Sequence, residues 1–223
     1  PKDEVAIDHD SWVVSGLRGT GSKNVRISGA FVPDYRTFNF MQAGEGNAPG
    51  VTPASSAQLR QPLRSSLGAA LAAVALGGAE AALDQFSERM KTRTMRLTRS
   101  VQAVDPAAQV DIAEATVLAE SARLLLLSTC RFVYEAGQQS RQLDLSEHAR
   151  VRVQQAHVVR LAVEAVDRLF TDSGGGALRE ANPLQRIWRD VHAVHSHVAF
   201  NWGSHARNYG SIVVGMGPTH EQL

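Results

Sequence analysis

The feature that most constrains the fold is a long segment of small residues, from about residue 63 to residue 93. Its uncharged part, residues 65–79, consists mainly of alanine, glycine and leucine, and it is shorter than a membrane span. Glycine inside a helix costs roughly 1 kcal/mol relative to alanine, so Gly68, Gly77 and Gly78 require a packing reason. We therefore predict a helix whose backbone lies close to its neighbours, and no membrane segment.

Three further helices are indicated after this one. The predicted segments run over residues 106–135, 144–173 and 183–210. Asp105 and Pro106 supply a cap and a first-turn proline, and the Asp144-x-x-Glu147 spacing resembles a capping box. Four long helices with short connections predict a mainly α chain with an antiparallel four-helix bundle.

The first forty residues carry the only strand pattern. Val25, Ile27 and Phe31 alternate with polar or small residues, and a shorter strand is predicted over residues 12–14. Two strands cannot bury a sheet face alone, so this segment looks like the end of a β domain whose upstream part is missing from the sequence. The predicted division is the end of a β domain over residues 1–41, a linker over 42–62 and the bundle over 63–223.

Charge and cysteine content narrow the function classes. The net charge is +1, from 23 basic and 22 acidic residues without a dense basic block. This balance argues against nucleic acid or an anionic membrane as partner and leaves small molecules and protein chains. The single cysteine, Cys130, cannot form an internal disulfide, so we expect a cytoplasmic protein in which Cys130 is a packing residue.

The glycine-rich residues 16–23 match no phosphate-binding motif. A Walker loop needs Gly-Lys-Ser/Thr, but the order here is Gly21-Ser22-Lys23, and a strand follows where a helix should. The dinucleotide fingerprint fails because Asn24 stands where the third glycine is needed. No Gly-x-Ser-x-Gly elbow occurs, which sets hydrolase chemistry aside. The segment predicts a glycine-permitted turn between strands.

The fourth predicted helix carries the candidate catalytic residue, His197. An apolar stripe is predicted to face the bundle, formed by Leu184, Ile187, Val191, Val194, Val198 and Trp202. His197 would lie at the edge of this stripe, on one flank with Asp190 and Asn201, where an imidazole suits hydrogen bonding or proton transfer to a ligand. His195 and His197 would point to nearly opposite sides, so we expect no metal site.

Several segments together are similar to one known family. They are Trp12 with residues 16–22, residues 25–33, residues 89–93, residues 173–178 and residues 184–190. In this combination the chain resembles the C-terminal half of the acyl-CoA dehydrogenase superfamily. The resemblance implies a C-terminal four-helix bundle preceded by an α-helical domain and a β domain, and a homo-oligomer, namely a tetramer.

Within that superfamily the residues around His197 favour one branch. In the dehydrogenases that the chain resembles, the α-proton base is a glutamate nine residues after the matching arginine, but here Val198 takes that position and valine cannot remove a proton. Some dehydrogenases carry the base on an earlier helix. The spacing of Arg189, Asp190, His192 and His197 is instead similar to flavin-dependent monooxygenases of this fold.

This branch implies the oxygenase component of a two-component system acting on a small-molecule substrate, aromatic or polycyclic. A separate flavin reductase supplies reduced FMN or FAD, which forms a C4a-hydroperoxide with oxygen and transfers one oxygen atom. His197 would hydrogen-bond the hydroperoxide or assist proton transfer. Two alternatives stay open: an acyl-CoA dehydrogenase, and a bundle that only oligomerises, since this fragment alone would be inactive.

The resemblance also implies which residues bind the cofactor. They are Trp12, Ser22, Arg93, Ser173, Gly174 and Gly175. The first two would lie against the flavin, Arg93 would contact its phosphate, and the last three would approach from a neighbouring subunit. Many dehydrogenases have Arg-x-x-Phe-Gly here, but Thr94-Met95-Arg96 follows Arg93, which favours FMN or free reduced flavin over a full FAD site.

Overall fold

The computed structural model describes residues 4–40 and 48–219, and within them the chain is mainly helical. Its five α-helices are α1 (Leu63–Met90), α2 (Pro106–Gln138), α3 (Leu145–Asp172), α4 (Pro183–His195) and α5 (Trp202–Val213). Helices α1 and α3 each contact the other three members of the bundle formed by α1 to α4, and α5 packs against α3. The prediction of a mainly α chain with a helix bundle is confirmed.

Small residues bring α1 close to its neighbours. Four alanines on its buried side have no exposed surface: Ala72, Ala75, Ala79 and Ala82. A Cβ on Gly78 would lie 2.5 Å from Val191 Cγ2 in α4, and one on Gly68 would overlap the Gln155 side chain in α3. Gly77 faces open space. Two of the three glycines therefore have the packing reason that the sequence requires.

Helix α1 is also the one helix in residues 4–40 and 48–219 that is long and apolar enough to cross a membrane. This finding rests on length and composition alone, and the core helices of soluble proteins meet the same criteria. Its Glu80 pairs with Arg123 of α2, and the four alanines named above are buried between helices. These contacts are those of the central helix of a bundle.

The helix starts follow the predicted signals. The Asp105 side chain caps α2, and Asp144 and Glu147 form the capping box of α3 through two reciprocal bonds of 2.8 and 2.9 Å. Gly174, directly after the end of α3, has a left-handed backbone with φ of 61°, which suits glycine. Local side-chain chemistry thus fixes where α2 and α3 begin.

The prediction of one helix from 183 to 210 is wrong. Helix α4 ends at His195, a short 3-10 turn covers Val198–Phe200, and α5 starts at Trp202. The Asn201 side chain caps α5 by accepting from Ser204 N (2.9 Å), which competes with a continuous helix. As a result Val198 is 80% exposed instead of facing the bundle.

The β segment is a two-stranded antiparallel sheet of β1 (Val5–Asp8) and β2 (Asn24–Ile27). The predicted strand at residues 12–14 is wrong, because this stretch is irregular backbone in which Trp12 Nε1 donates to Leu17 O (3.3 Å). β2 also ends earlier than the apolar pattern indicates, since Gly29 turns the chain with φ of 68°. All residues of both strands are exposed.

This segment is fixed to α4 by its turn. Leu17 N donates to Asp190 Oδ1 (2.6 Å), and Arg189 Nη1 donates to Ser15 O (2.8 Å). A Cβ on Gly16 would overlap the carbonyl oxygen of Arg189, so only glycine allows this close approach. The glycine-rich stretch therefore serves as a docking turn onto the bundle.

The division into residues 1–41, 42–62 and 63–223 stays a prediction. The predicted linker falls partly on residues 41–47, which lie outside the described residues. Residues 48–62 form turns without an α-helix. They approach the end of α2, where a Cβ on Gly137 would lie 2.5 Å from Ala57 O.

Candidate functional site

His197 lies in the connection between α4 and α5. Its Nδ1 accepts a hydrogen bond from Ala199 N (3.1 Å), and its ring lies 6.2 Å from that of the fully buried Phe200. The His197 side chain is exposed in this chain. Because Nδ1 accepts, the proton of the neutral ring is on Nε2, which leaves a hydrogen-bond donor for a ligand.

The residues expected on the same flank as His197 have other partners. Asp190 accepts from Leu17 N, and Asn201 accepts from Ser204 N. The break after α4 leaves Asp190 at the β segment, away from His197, whereas Asn201 lines the same cleft as His197. The expectation that Asp190 shares a flank with His197 is therefore wrong, the expectation for Asn201 agrees with the structure, and the cleft beside them is a finding of the structure.

His197 lines a cleft of about 1080 Å³ between α1, α3 and the α4–α5 connection. Its apolar lining includes Phe40, Leu67, Leu71, Val74 and Val198. Its polar lining comprises Arg64, Arg152, His197, Asn201, Ser204 and His205. The lining contains no Asp or Glu within the described ranges. Apolar walls with a few polar groups are typical of small-molecule sites.

Two arginines give this cleft a positive charge. Arg64 projects from α1, with its guanidinium 6.0 Å from the centre of the Phe40 ring, and Arg152 projects from α3. Burial lowers the pKa of the Arg152 guanidinium, and the nearby charge of Arg64 lowers that pKa further. Sequence reasoning missed both. The available signal was the position of Arg152 four residues before the buried Ala156, on the inner face of a predicted helix.

Arg93 and the residues after α3 form a second group. Arg93 Nη1 donates to Gln102 Oε1 (2.8 Å) and to Asp172 O (3.0 Å), which holds the guanidinium beside Gly174. A cavity of about 780 Å³ adjoins them, and its lining includes Arg93, Arg96, Gly175 and Arg179. Three guanidinium groups and exposed glycine backbone suit the phosphate groups of a nucleotide.

Ser173 is placed differently from the glycines that follow it. Its side chain has no exposed surface, and its hydroxyl donates to Leu169 O (2.7 Å) inside α3. Gly174 and Gly175 are exposed. The backbone of these two glycines is therefore the part of the segment that can reach a ligand.

Trp12 and Ser22 lie apart from this second group, on the β segment. Trp12 is half-buried, with Nε1 bonded to Leu17 O, and Ser22 is exposed. Neither hydrogen-bonds to Arg93 or His197 in the structure as described. The predicted site residues thus occupy three places: the β segment, the cavity at Arg93 and the cleft at His197.

Other titratable groups among the described residues lie apart from His197. His195 lines a separate groove of about 410 Å³ with His157 and Asp167, away from His197. No cluster of three or more His, Cys, Asp or Glu side chains suited to a metal occurs among residues 4–40 and 48–219. Cys130 is half-buried against the core, and this burial raises the pKa of its thiol.

Comparison with known proteins gives one matching family. Residues 69–202 match the family described as acyl-CoA dehydrogenase, C-terminal domain. This match covers α1 after its first turns, α2, α3, α4 and the connection that carries His197. The matched part therefore contains most of the cleft.

Curated relatives extend the likeness beyond the bundle. The chain is 30% identical over 232 residues to the oxygenase component of an FADH2-dependent resorcinol hydroxylase from Rhizobium sp. (strain MTP-10005), covering 98% of this chain and 55% of the relative. It is 32% identical over 200 residues to the flavin-dependent monooxygenase oxygenase subunit HsaA of Rhodococcus jostii (strain RHA1), covering 89% and 52%. The chain spans about half the length of the curated relatives it matches.

A solved structure agrees with the fold. The crystal structure of 3-HSA hydroxylase from Rhodococcus sp. RHA1 superposes with a TM-score of 0.89 and 30% sequence identity. The superposition covers 100% of this chain and 57% of that one. The short β segment and the five helices thus have counterparts in one larger enzyme.

Proposed function

The chain belongs to the acyl-CoA dehydrogenase C-terminal domain family, and we propose that it supplies the helix bundle of the oxygenase component of a flavin-dependent monooxygenase. The observation that carries this proposal is the composition of the cleft. A dehydrogenase needs a carboxylate to remove a proton next to the thioester, whereas Val198 and His197 line the cleft and no carboxylate does so in the part described. The names of the two curated relatives support the same branch.

The proposed cofactor is reduced flavin, FMN or FAD, delivered by a separate reductase. When bound, reduced flavin supplies the electrons that activate oxygen for transfer to an aromatic substrate. Arg93, Arg96 and Arg179 would hold phosphate groups together with the backbone of Gly175. These groups come from one chain, which differs from the expected approach of the glycines from a neighbouring subunit. This trio of guanidinium groups, with the FADH2-dependent relative, supports FAD, which reverses the preference for FMN drawn from the residues after Arg93.

His197 has a defined part in this proposal. Its Nδ1 is held by the Ala199 amide, so the ring is oriented and Nε2–H is the group that it offers to the cleft. A donor in this position would stabilise a negatively charged oxygen or deliver a proton to it. Losing the donor would release activated oxygen without product.

The test is the coupling of oxygen consumption to product in the intact protein with a flavin reductase and resorcinol. For His197→Ala we expect the amount of product per oxygen consumed to fall by 10-fold or more. The oxygen that no longer gives product should appear as hydrogen peroxide. The matched control is His195→Ala, because His195 is the last residue of α4, two positions before His197, but lines a different groove. Unchanged coupling in His197→Ala would reject the assignment, and reduction of bound FAD by an acyl-CoA without oxygen would assign dehydrogenase chemistry instead.

We further propose a homotetramer in the cytoplasm. Large apolar side chains are exposed along one face of α2: Val110, Val117, Leu124, Leu127 and Tyr134. Their spacing is that of the a and d positions of a heptad, which suits packing against a second copy of the helix. Light scattering on the intact protein tests the tetramer, and a monomeric mass would contradict it.

A further inference from the structure

Arg152 is a half-buried cation in the cleft, and no Asp or Glu among the described residues pairs with it. Its Nε is buried and makes no hydrogen bond, and no ion pair to Arg152 forms within the described residues. The charge that acts on its pKa is that of another cation, Arg64. A guanidinium is costly to withdraw from water without a counter-charge, so this arrangement favours binding of a negatively charged group.

The fold makes room for the Arg152 side chain. Gly68 in α1 has no side chain, and a Cβ there would lie 3.2 Å from Arg152 Nη1. The adjacent Gln155 is 1% exposed and donates from Nε2 to Ser65 O (2.8 Å), and its Oε1 is buried without a partner. At this point the contact between α1 and α3 is therefore formed by the polar side chains of Arg152 and Gln155 and not by apolar side chains.

The surroundings of Arg152 indicate what kind of anion would fit. Arg152 and His197 line the same cleft from α3 and from the α4–α5 connection. The side of the cleft formed by α1 is mainly apolar. Its residues Leu67, Leu71 and Val74 are available to contact an aromatic ring. A planar apolar body with one anionic end matches this distribution of groups.

We propose that Arg152 binds the carboxylate of an aromatic acid, so that the substrate class of the enzyme is hydroxyaryl carboxylic acids. The ring would lie on the apolar wall, with its reacting edge toward His197. This inference rests on the proposed monooxygenase function, because it assigns the cleft to the substrate. The guanidinium fork provides two parallel hydrogen bonds to a carboxylate, which a neutral amide cannot replace.

The experiment compares acids with their amides in the intact protein. The probes are 4-hydroxyphenylacetate and 4-hydroxyphenylacetamide, and 3-(4-hydroxyphenyl)propionate with its amide, with dissociation constants from anaerobic calorimetry on the reduced-flavin enzyme. In at least one pair we expect the acid to bind 10- to 100-fold more tightly, on the order of a hydrogen-bonded charge pair. Arg152→Gln should abolish this preference and Arg152→Lys should retain part of it.

Arg186→Gln is the matched control, because Arg186 is exposed on α4 and lies outside the lining of the cleft. It should keep the full preference for the acid. If Arg152→Gln does not fold, the preference of the unaltered enzyme and its reduction in Arg152→Lys decide the question.

Equal affinity for acid and amide in both pairs would overturn the inference, as would a preference that survives Arg152→Gln. Loss of reduced-flavin binding in Arg152→Gln without any acid preference would assign the cation to the cofactor instead. If the enzyme hydroxylates resorcinol but binds acid and amide equally, this inference is wrong and the proposed function still holds. If the acid preference depends on Arg152 but no substrate is hydroxylated, the carboxylate site holds and the proposed function is wrong.

Discussion

Glu147 connects the start of α3 to its surroundings through two hydrogen bonds. Its Oε2 accepts from Arg141 Nη1 (2.6 Å) and from Asp144 N (2.9 Å). The hydrogen bond from Arg141 is the main reason that the pKa of Glu147 lies below its ordinary value, and the bond within the capping box adds to it. The carboxylate form is therefore the one that the folded protein stabilises.

This depressed pKa predicts a pH-dependent contribution to stability. The contribution is complete above the ordinary glutamate pKa of about 4.3, and it is lost as the pH falls through the lower value of the folded state. Thermal unfolding should show that Glu147→Gln is less stable than the unaltered protein at pH 6 and that the two converge toward pH 3. Glu120→Gln, at an exposed site on α2, should show no such convergence.

The site residues differ in how far sequence could predict them. His197 could be singled out from the sequence, because Arg189, Asp190 and His192 precede it at a recognisable spacing, but the cleft beside it is formed with residues of α1 and α3 and is seen only in the structure. Arg152 has no motif, since its environment is created by residues of α1 that are about eighty positions earlier in the chain. The burial of Arg152 by a distant helix is a tertiary effect. The local sequence pattern indicates only that a cation lies on the inner face of α3.

At the scale of helices, adjacent glycines in α1 have opposite surroundings. Gly77→Ala adds a methyl group in open space and should raise the free energy of unfolding by about 0.5–1 kcal/mol, because alanine is the better helix former. Gly78→Ala places its Cβ 2.5 Å from Val191 Cγ2 and should lower it by about 1 kcal/mol or more. Each variant is the control for the other in urea unfolding, and equal shifts would contradict the packing of α1 on α4.

The end of α4 shows where periodicity fails as a predictor. The apolar spacing from Leu184 to Trp202 fits one helix, and the residues between them include no proline or glycine. Two side chains decide otherwise: His197 accepts from Ala199 N, and Asn201 caps α5. Such local bonds compete with the helical ladder, and they win here because the turn also buries Phe200.

At the scale of the whole molecule, the β segment depends on the bundle for its position. Its two strands are exposed on all sides, so the sheet buries no apolar face of its own. The turn that docks it instead contributes Leu17 to the core, held by the bond from Leu17 N to Asp190. This docking explains Gly16 in the glycine-rich turn, whereas Gly21 is explained by its left-handed backbone with φ of 61°.

Removing the Asp190 carboxylate should therefore loosen the β segment without unfolding the helices. A backbone amide bonded to a carboxylate is stabilised by about 1.5–3 kcal/mol, so Asp190→Ala should accelerate hydrogen exchange at Leu17 on the order of 10- to 100-fold. Asp190→Asn keeps an acceptor oxygen and should show a smaller effect. Asp84→Ala, at an exposed site on α1, is the control and should leave this amide unchanged. Unaltered protection of Leu17 in Asp190→Ala would mean that packing of its side chain, not the hydrogen bond, holds the segment on α4.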